Sequence, residues 1–420
     1  MGTLAALDTP AGVTQRKSDP SPPADVPLVN RRGAVNRRGA VERRGDVWHL
    51  RSYRAVRQVL RDADATRQAG FNAELARRSS LRQPVLFQDG AEHREQRTAI
   101  ARFFTPKTVD ERYRTLMTEL SDALVDDLCA SGGGVLDDVS LSLAVEVAAR
   151  VVGLTDSRRP GMAGRLEAVL SLERLTAASP VRRSVGMFLA QARMWWFYLL
   201  DVRPAIAARR REPREDVISH LLAKRYRGVE ILIECITYGA AGMATTREFI
   251  CMAAWHLLEA PDLRSHYLGA DEAGRHRVLH EILRLEPVVA HLYRRAVADL
   301  EVEHDGVTHR IPAGALIDLD LRSANADPAA VGEDPLRLRP ERELGPGVQP
   351  AVLSFGDGAH RCPGAFIAIQ ESDVFLQRLL RLPLEVVTPP ELRWNELIES
   401  YELRGFRVAV AGASAASAPT

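Results

Sequence analysis

Apolar residues recur at three- and four-residue spacing over 53–61, 95–104, 113–129, 136–152, 276–285 and 367–380, the pattern of one-sided helices packed on a common core. The most apolar long stretch, 231–260, is broken by Glu234, Thr245, Thr246, Arg247 and Glu248. Those groups are costly in lipid and suit a long helix inside a soluble protein. Alternation at period two is confined to 300–317, with turns at Asp305-Gly306 and Pro312-Ala313-Gly314, and to 404–410. Between these lies a Pro- and Gly-rich meander, 321–353. The prediction is a mainly α protein with a small β region, one large domain over 48–411, because no linker-like stretch follows Trp48.

Composition changes this picture little. The 420 residues carry 56 Lys+Arg against 55 Asp+Glu, a balance that argues against a nucleic-acid partner. Four cysteines, at 129, 235, 251 and 362, are too scattered for a disulfide framework, and a reducing cytoplasm fits. Residues 1–27 are rich in Pro, Ala, Ser and Asp, without the apolar run of a signal peptide or anchor, so no membrane partner is expected. Residues 30–47 repeat a hexad three times: Asn-Arg-Arg-Gly-Ala-Val twice, then Glu-Arg-Arg-Gly-Asp-Val. The segment 1–47 reads as a disordered N-terminal segment with basic repeats, and 412–420 as a flexible tail. A monomer is expected.

The chemistry concentrates in 354–364, Ser-Phe-Gly-Asp-Gly-Ala-His-Arg-Cys-Pro-Gly. Its glycines let the backbone turn tightly, and Pro363 fixes the chain where a helix begins. Cys362 thus presents one sulfur ahead of a helix N-terminus, whose dipole and free N–H groups stabilise a thiolate. Zinc needs about four Cys or His ligands, and His360-x-Cys362 has no second pair. Thiolate ligation of haem iron needs one sulfur, and a buried free cysteine is the plainer alternative.

The run Phe355-Gly356-x-Gly358-x-His360-x-Cys362-x-Gly364 resembles the haem-binding signature of the cytochrome P450 family, and further matches follow in that family's order. The resemblance implies a cytochrome P450 fold and haem b, with Cys362 as the iron's axial thiolate and Phe355 against the cofactor. It pairs Glu281 and Arg284, which share a helix face at i and i+3, with Arg342 in a buried structural triad. It assigns the haem propionates to His93 and Arg97, one helical turn apart, and to Arg294 and His360.

Residues 240–246, Ala-Ala-Gly-Met-Ala-Thr-Thr, sit in the middle of the long apolar stretch. Gly242 lets a flat ligand approach the backbone at a cost of about 1 kcal/mol relative to Ala, and a threonine hydroxyl competing for the i−4 carbonyl opens a bulge where water enters. The resemblance puts dioxygen binding and proton delivery here, with Ala241 beside the cofactor, Thr245 as the matching threonine and Thr246 next to it. The acid that precedes this threonine in the family is Ala244 in this chain.

What the resemblance implies overall is a bacterial haem-thiolate monooxygenase using O2 and electrons from a ferredoxin and its reductase, since the chain has no flavin or iron–sulfur motif of its own. Ala244 leaves three readings open: an enzyme whose relay runs through Thr245, Thr246 and water, an oxidase that couples radicals, or a haem-binding sensor or carrier with little turnover. By family position the pocket walls are 67–87, 166–198, 240–246, 288–292 and 401–403. Phe87, Met243, Val289, His291 and Tyr401 are candidate substrate contacts, each equally able to be core. The run Met194-Trp-Trp-Phe-Tyr198 is expected to pack in the core or a lid. The expected substrate is a small aromatic or cyclic-dipeptide-like molecule of secondary metabolism.

Overall fold

A computed structural model describes residues 16–18, 39–71, 73, 77, 81–170, 180–395 and 398–412. The helices expected from periodicity are present at Tyr53–Arg61, Gly90–Ala101, Arg114–Ala130, Leu136–Val152, Glu272–Leu285 and Ala365–Leu379. Side-chain caps set several starts: the Ser52 hydroxyl accepts from Ala55 N at 3.4 Å, and the Asp271 carboxylate accepts from Gly274 N at 2.7 Å.

The long apolar stretch forms one central helix in three pieces, Gly228–Gly239, a π-helical turn Ala240–Ala244, and Thr245–Glu259. It packs on helix Leu136–Val152 and shares with it the main apolar core, which includes Ile231, Cys235, Ile250, Met252 and Leu257. Ala260-Pro261 ends it, since proline cannot continue the hydrogen-bond ladder.

Among the described residues, four small sheets flank this body. The largest has the strand order Val41–Arg44, Val47–Leu50, Leu316–Asp320, His291–Ala296, Thr66–Gln68, with Val47–Leu50 parallel to Leu316–Asp320. The hairpin Leu300–His304/Val307–Ile311 and the strand Arg407–Val410 lie where alternation predicts them. The other strands are three to six residues long and carry no readable alternation.

The expected domain boundary at residue 48 moves to 41. The third hexad, 42–47, lies within the hairpin Val41–Arg44/Val47–Leu50, which turns at Gly45 with φ +56°, and Val41 and Leu50 face inward. Its arginines mask a two-residue period that only the pairing reveals. Residues 16–18 are likewise ordered against the body: Arg16 donates to Leu285 O at 2.7 Å and Arg322 O at 3.0 Å, and the buried Ser18 hydroxyl donates to Glu286. The hexad residues 30–38 and the tail from 413 lie outside the described residues. Among the described residues no helix is long and apolar enough to cross a membrane.

Candidate functional site

The cysteine loop is pinned from three sides. Cys362 N donates to Phe355 O at 2.8 Å, and Gly356 N donates to Leu353 O at 2.8 Å, folding the loop on itself. Gly358 sits at φ +67°, and a Cβ there would lie 2.3 Å from Leu60 O, so a side-chain-free residue is what lets the loop reach helix Tyr53–Arg61. That helix returns Arg57 and Arg61, one turn apart, to the Asp357 carboxylate, each with Nε at 2.9 Å. Burial pushes the Asp357 pKa up, but the Gly358 N–H and the two guanidiniums outweigh it and leave the group below its ordinary value.

The meander is locked to the same loop. Arg284 donates to Glu281 at 2.7 and 2.9 Å, and Arg342 Nε reaches the same carboxylate at 3.1 Å, with all three side chains 5 % exposed or less. Arg284 also donates to Asn325 O (2.9 Å) and Pro335 O (2.7 Å). Asn325 then bridges to the loop, accepting from Leu353 N at 2.9 Å and donating to Ser354 Oγ at 2.8 Å, while Ser354 donates to Leu283 O. Periodicity does not single out Asn325, Ser354 or Asp357. The readable signals are the Asn and Asp among turn residues and the Arg57/Arg61 pair at i and i+4.

Cys362 has accessible surface, yet burial pushes its thiol pKa up, against the Gly364 N–H, Arg97 and Arg361. Surface that is accessible and still enclosed by protein faces an internal space rather than bulk water. Four basic side chains gather beside it. His93 stacks on His360 with ring centroids 4.0 Å apart, Arg97 donates to Arg361 O, and Arg294 donates to Gln68 and to Tyr293 O (2.9 Å). Asp89 lies among them, 3.5 Å from His360 and 2.9 Å from Arg77. Burial, then the charges of His360 and Arg97, push the His93 pKa down to about 4, and burial pushes Arg294 down to about 10. His93 Nε2 is buried and makes no hydrogen bond among the described residues.

On the central helix the Thr245 hydroxyl donates to Ala241 O at 2.6 Å, the i−4 back-bond that accompanies the π turn 240–244. Ala241 is exposed although its neighbours Gly239 and Met243 are buried, so this face borders the internal space. Gly242 does not: a Cβ there would meet Ala148 Cβ of helix Leu136–Val152 at 3.7 Å, an ordinary contact distance, so this position faces the neighbouring helix rather than a ligand. Ala244 is half-buried, and Thr246 is buried.

The candidate substrate contacts separate. Phe87 lines a cavity of about 550 Å³ with Arg77, Arg82, Asp89, Glu92 and Glu230, and Val289 is half-buried against the core. Met243 (4 % exposed) and Tyr401 (0 %) are core instead, and the Tyr401 hydroxyl donates to Glu286 O at 3.1 Å. His291 falls on the strand face opposite Arg294 and binds Asp318 at 2.8 Å, a carboxylate it shares with His49. Burial opposes the His291 charge, but Asp318 holds its pKa up at about 9. The aromatic run also divides: Phe197 is buried, whereas Trp195 and Trp196 are 45 % and 53 % exposed, so neither core nor lid packing covers them. Residues 72, 74–76, 78–80 and 171–179 of the expected walls lie outside the described residues.

The family model described as Cytochrome P450 matches residues 276–391, the segment that holds the Glu281–Arg284–Arg342 cluster and the cysteine loop. Nocardicin C N-oxygenase of Nocardia uniformis subsp. tsuyamanensis is 30% identical over 366 residues, covering 84% of this chain and 86% of its own length. Cytochrome P450 107B1 of Saccharopolyspora erythraea is 28% identical over 377 residues, covering 83% and 86%. The crystal structure of P450BioI, solved in complex with hexadec-9Z-enoic acid ligated Acyl Carrier Protein, superposes with a TM-score of 0.69 at 25% identity, over 86% of this chain and 92% of that one. With similarity over more than four fifths of the chain added to a pinned cysteine loop, a locked meander and a bulged central helix, the chain belongs to the cytochrome P450 family.

Proposed function

We propose that the chain is a haem-thiolate monooxygenase of secondary metabolism, with haem b held by Cys362 and by His93, Arg97, Arg294 and His360. The observation that carries this reading is the charge balance of the enclosed site. Four basic side chains converge there with Asp89 between them; burial and the charges of His360 and Arg97 push His93 far down in pKa, and burial pushes Arg294 down. Such a cluster calls for anions, and haem brings two carboxylates as well as an iron for the accessible sulfur. The unpartnered His93 Nε2 is one donor or acceptor ready for that role. When bound, the haem supplies the iron at which dioxygen is activated, with thiolate donation favouring O–O cleavage.

The protein's own residues then divide the work. Arg57, Arg61 and Asp357 hold the loop, and the Arg284–Glu281–Arg342 cluster holds the meander behind it, so the sulfur keeps one position. Ala241 leaves room on the opposite wall, and Thr245 carries a hydroxyl at the bulge that can accept and pass a proton. Monooxygenation takes one substrate, one O2, two electrons and two protons to hydroxylated product and water. The electrons come from a separate donor, and exposed Arg94 and Arg361 suit an acidic ferredoxin. The cavity at Phe87 carries both arginines and carboxylates, which fits a small substrate with polar or zwitterionic groups, aromatic or cyclic-dipeptide-like. Relatives named as Nocardicin C N-oxygenase and Erythromycin C-12 hydroxylase support tailoring of a natural product.

The test is the carbon-monoxide difference spectrum of the reduced, haem-loaded protein, with Cys362→Ala beside it. A thiolate-type spectrum in the wild type that disappears in the variant is expected, and its survival in the variant would overturn the ligand assignment. Ala244 supports a second reading, a haem-binding sensor or carrier. Oxygen uptake with a surrogate ferredoxin and reductase separates the two, since a carrier consumes none.

A further inference from the structure

Position 244 holds no carboxyl, yet the central helix carries one on the face that borders the internal space. Glu230, Glu234, Tyr238, Ala241 and Thr245 fall within one arc of less than a third of the helix circumference, at about 100° per residue. Glu230 lines the cavity at Phe87 and Ala241 is exposed, so accessible surface lies at both ends of the stripe. Between them, Glu234 is 1 % exposed. Its Oε1 accepts from Gln96 Nε2 at 3.0 Å and Val85 N at 3.3 Å, while its Oε2 makes no hydrogen bond among the described residues. One turn on, the Tyr238 hydroxyl is also buried and unbonded, its ring stacked on Phe104.

Two orphaned polar groups on successive turns of one face are expensive unless a shared partner joins them, and a bridging water satisfies both. We propose that Glu234 supplies the carboxyl missing at position 244, passing protons through Tyr238 and ordered water toward Thr245 during oxygen reduction. The Glu234 carboxyl releases its proton along the stripe and regains one from solvent at the cavity beside Glu230. With substrate each turnover consumes two such protons and two electrons from the redox partner; without substrate, reduction of O2 to two waters consumes four of each. Burial pushes the Glu234 pKa up to about 7, against the bonds from Val85 and Gln96, so near neutral pH it both holds and gives a proton. The groups around it leave this intact: Gln96 from helix Gly90–Ala101, Val85 N–H from the turn Val85–Phe87, and Cys235, Glu230 and Tyr238 on its own helix. Arg82 is engaged over the Tyr226 ring at 4.4 Å, and Tyr226 donates to Gln96 at 2.8 Å.

The inference rests on the monooxygenase reading, and its test separates the two. Infrared titration of the protein, with and without haem, is expected to reveal a protonated carboxyl that ionises near pH 7 and is missing in Glu234→Gln. With a surrogate ferredoxin and reductase, Glu234→Gln and Tyr238→Phe are expected to lower water-forming oxygen reduction by about 10²-fold, the scale of a lost general acid, and to release peroxide instead. The wild-type peroxide fraction should rise with pH through 7 and that of Glu234→Gln should be flat, with the carbon-monoxide spectrum unchanged in both variants. A missing infrared band, or an unaltered peroxide fraction and pH profile in Glu234→Gln, overturns the proposal. If the wild type reduces no oxygen the monooxygenase reading falls, and the relay falls with it even if Glu234 titrates.

Discussion

The two walls of the enclosed site are built on opposite rules. On the cysteine side the groups that hold the loop and the meander are spoken for: Asp357 by two arginines, Glu281 by two more and by Arg339 N, Asn325 by Leu353 and Ser354. On the central-helix side the ladder is broken by a π turn, Thr245 back-bonds to a carbonyl, and Glu234 and Tyr238 keep oxygens with no partner among the described residues. A saturated network fixes one geometry, because every displacement strands a buried group. An unsaturated one stores cost and keeps donors and acceptors available for exchange. The sulfur is thus held in one position, while the opposite wall keeps polar groups open to new partners.

The comparison is broken hardest at its rigid end. Glu281→Ala leaves Arg284 and Arg342 buried without their carboxylate, a loss on the order of 3–5 kcal/mol. Denaturant unfolding of the haem-free protein should register it, and the carbon-monoxide spectrum should shift toward the form without thiolate. Next is Gly358→Ala. Its positive φ costs about 1–2 kcal/mol, and its Cβ would meet Leu60 O at 2.3 Å, so the loop must retreat from helix Tyr53–Arg61. The expected readout is weaker haem retention at a smaller loss of stability than for Glu281→Ala. If Gly358→Ala keeps both, the loop is not positioned by that contact.

How much of this was readable beforehand follows the same division. The long helices stood out because each buries one stripe against a large core, and the Glu281/Arg284 pair and the cysteine loop were recognisable as local patterns. Short strands were not readable: Val41–Arg44 is held by pairing with Val47–Leu50, and three arginine or glutamate side chains hide its period. His291 and Tyr401 stayed open between pocket wall and core, because the partners that place them, Asp318 and Glu286, lie 27 and 115 residues away along the chain. Glu234 was visible only as an interruption of an apolar run. Its meaning depends on Val85 and Gln96, which come from another part of the chain.

Thr245→Val sharpens the flexible side. It removes the bond to Ala241 O and keeps the shape, for a stability change of about 0.5–1.5 kcal/mol. Peroxide release during oxygen reduction should nonetheless rise, because the hydroxyl nearest the bulge is gone. An unchanged peroxide yield would mean that protons arrive without Thr245.

The smallest effect is expected at Gly242. A glycine in a ligand-binding helix invites the idea that its bare backbone receives the ligand, yet its missing Cβ points at Ala148, 3.7 Å away, an ordinary van der Waals separation. Gly242→Ala should therefore fit without displacing anything. It removes backbone freedom from the unfolded chain, so stability should hold or rise by up to about 1 kcal/mol. The carbon-monoxide spectrum should be unchanged. Ala241→Val is the counterpart one residue earlier, on the face that is exposed to the inside, where two added methyl groups enter the space itself. If Gly242→Ala weakens haem retention while Ala241→Val does not, the helix is rotated by about 100° from the orientation described, and Gly242 is the residue that meets the ligand.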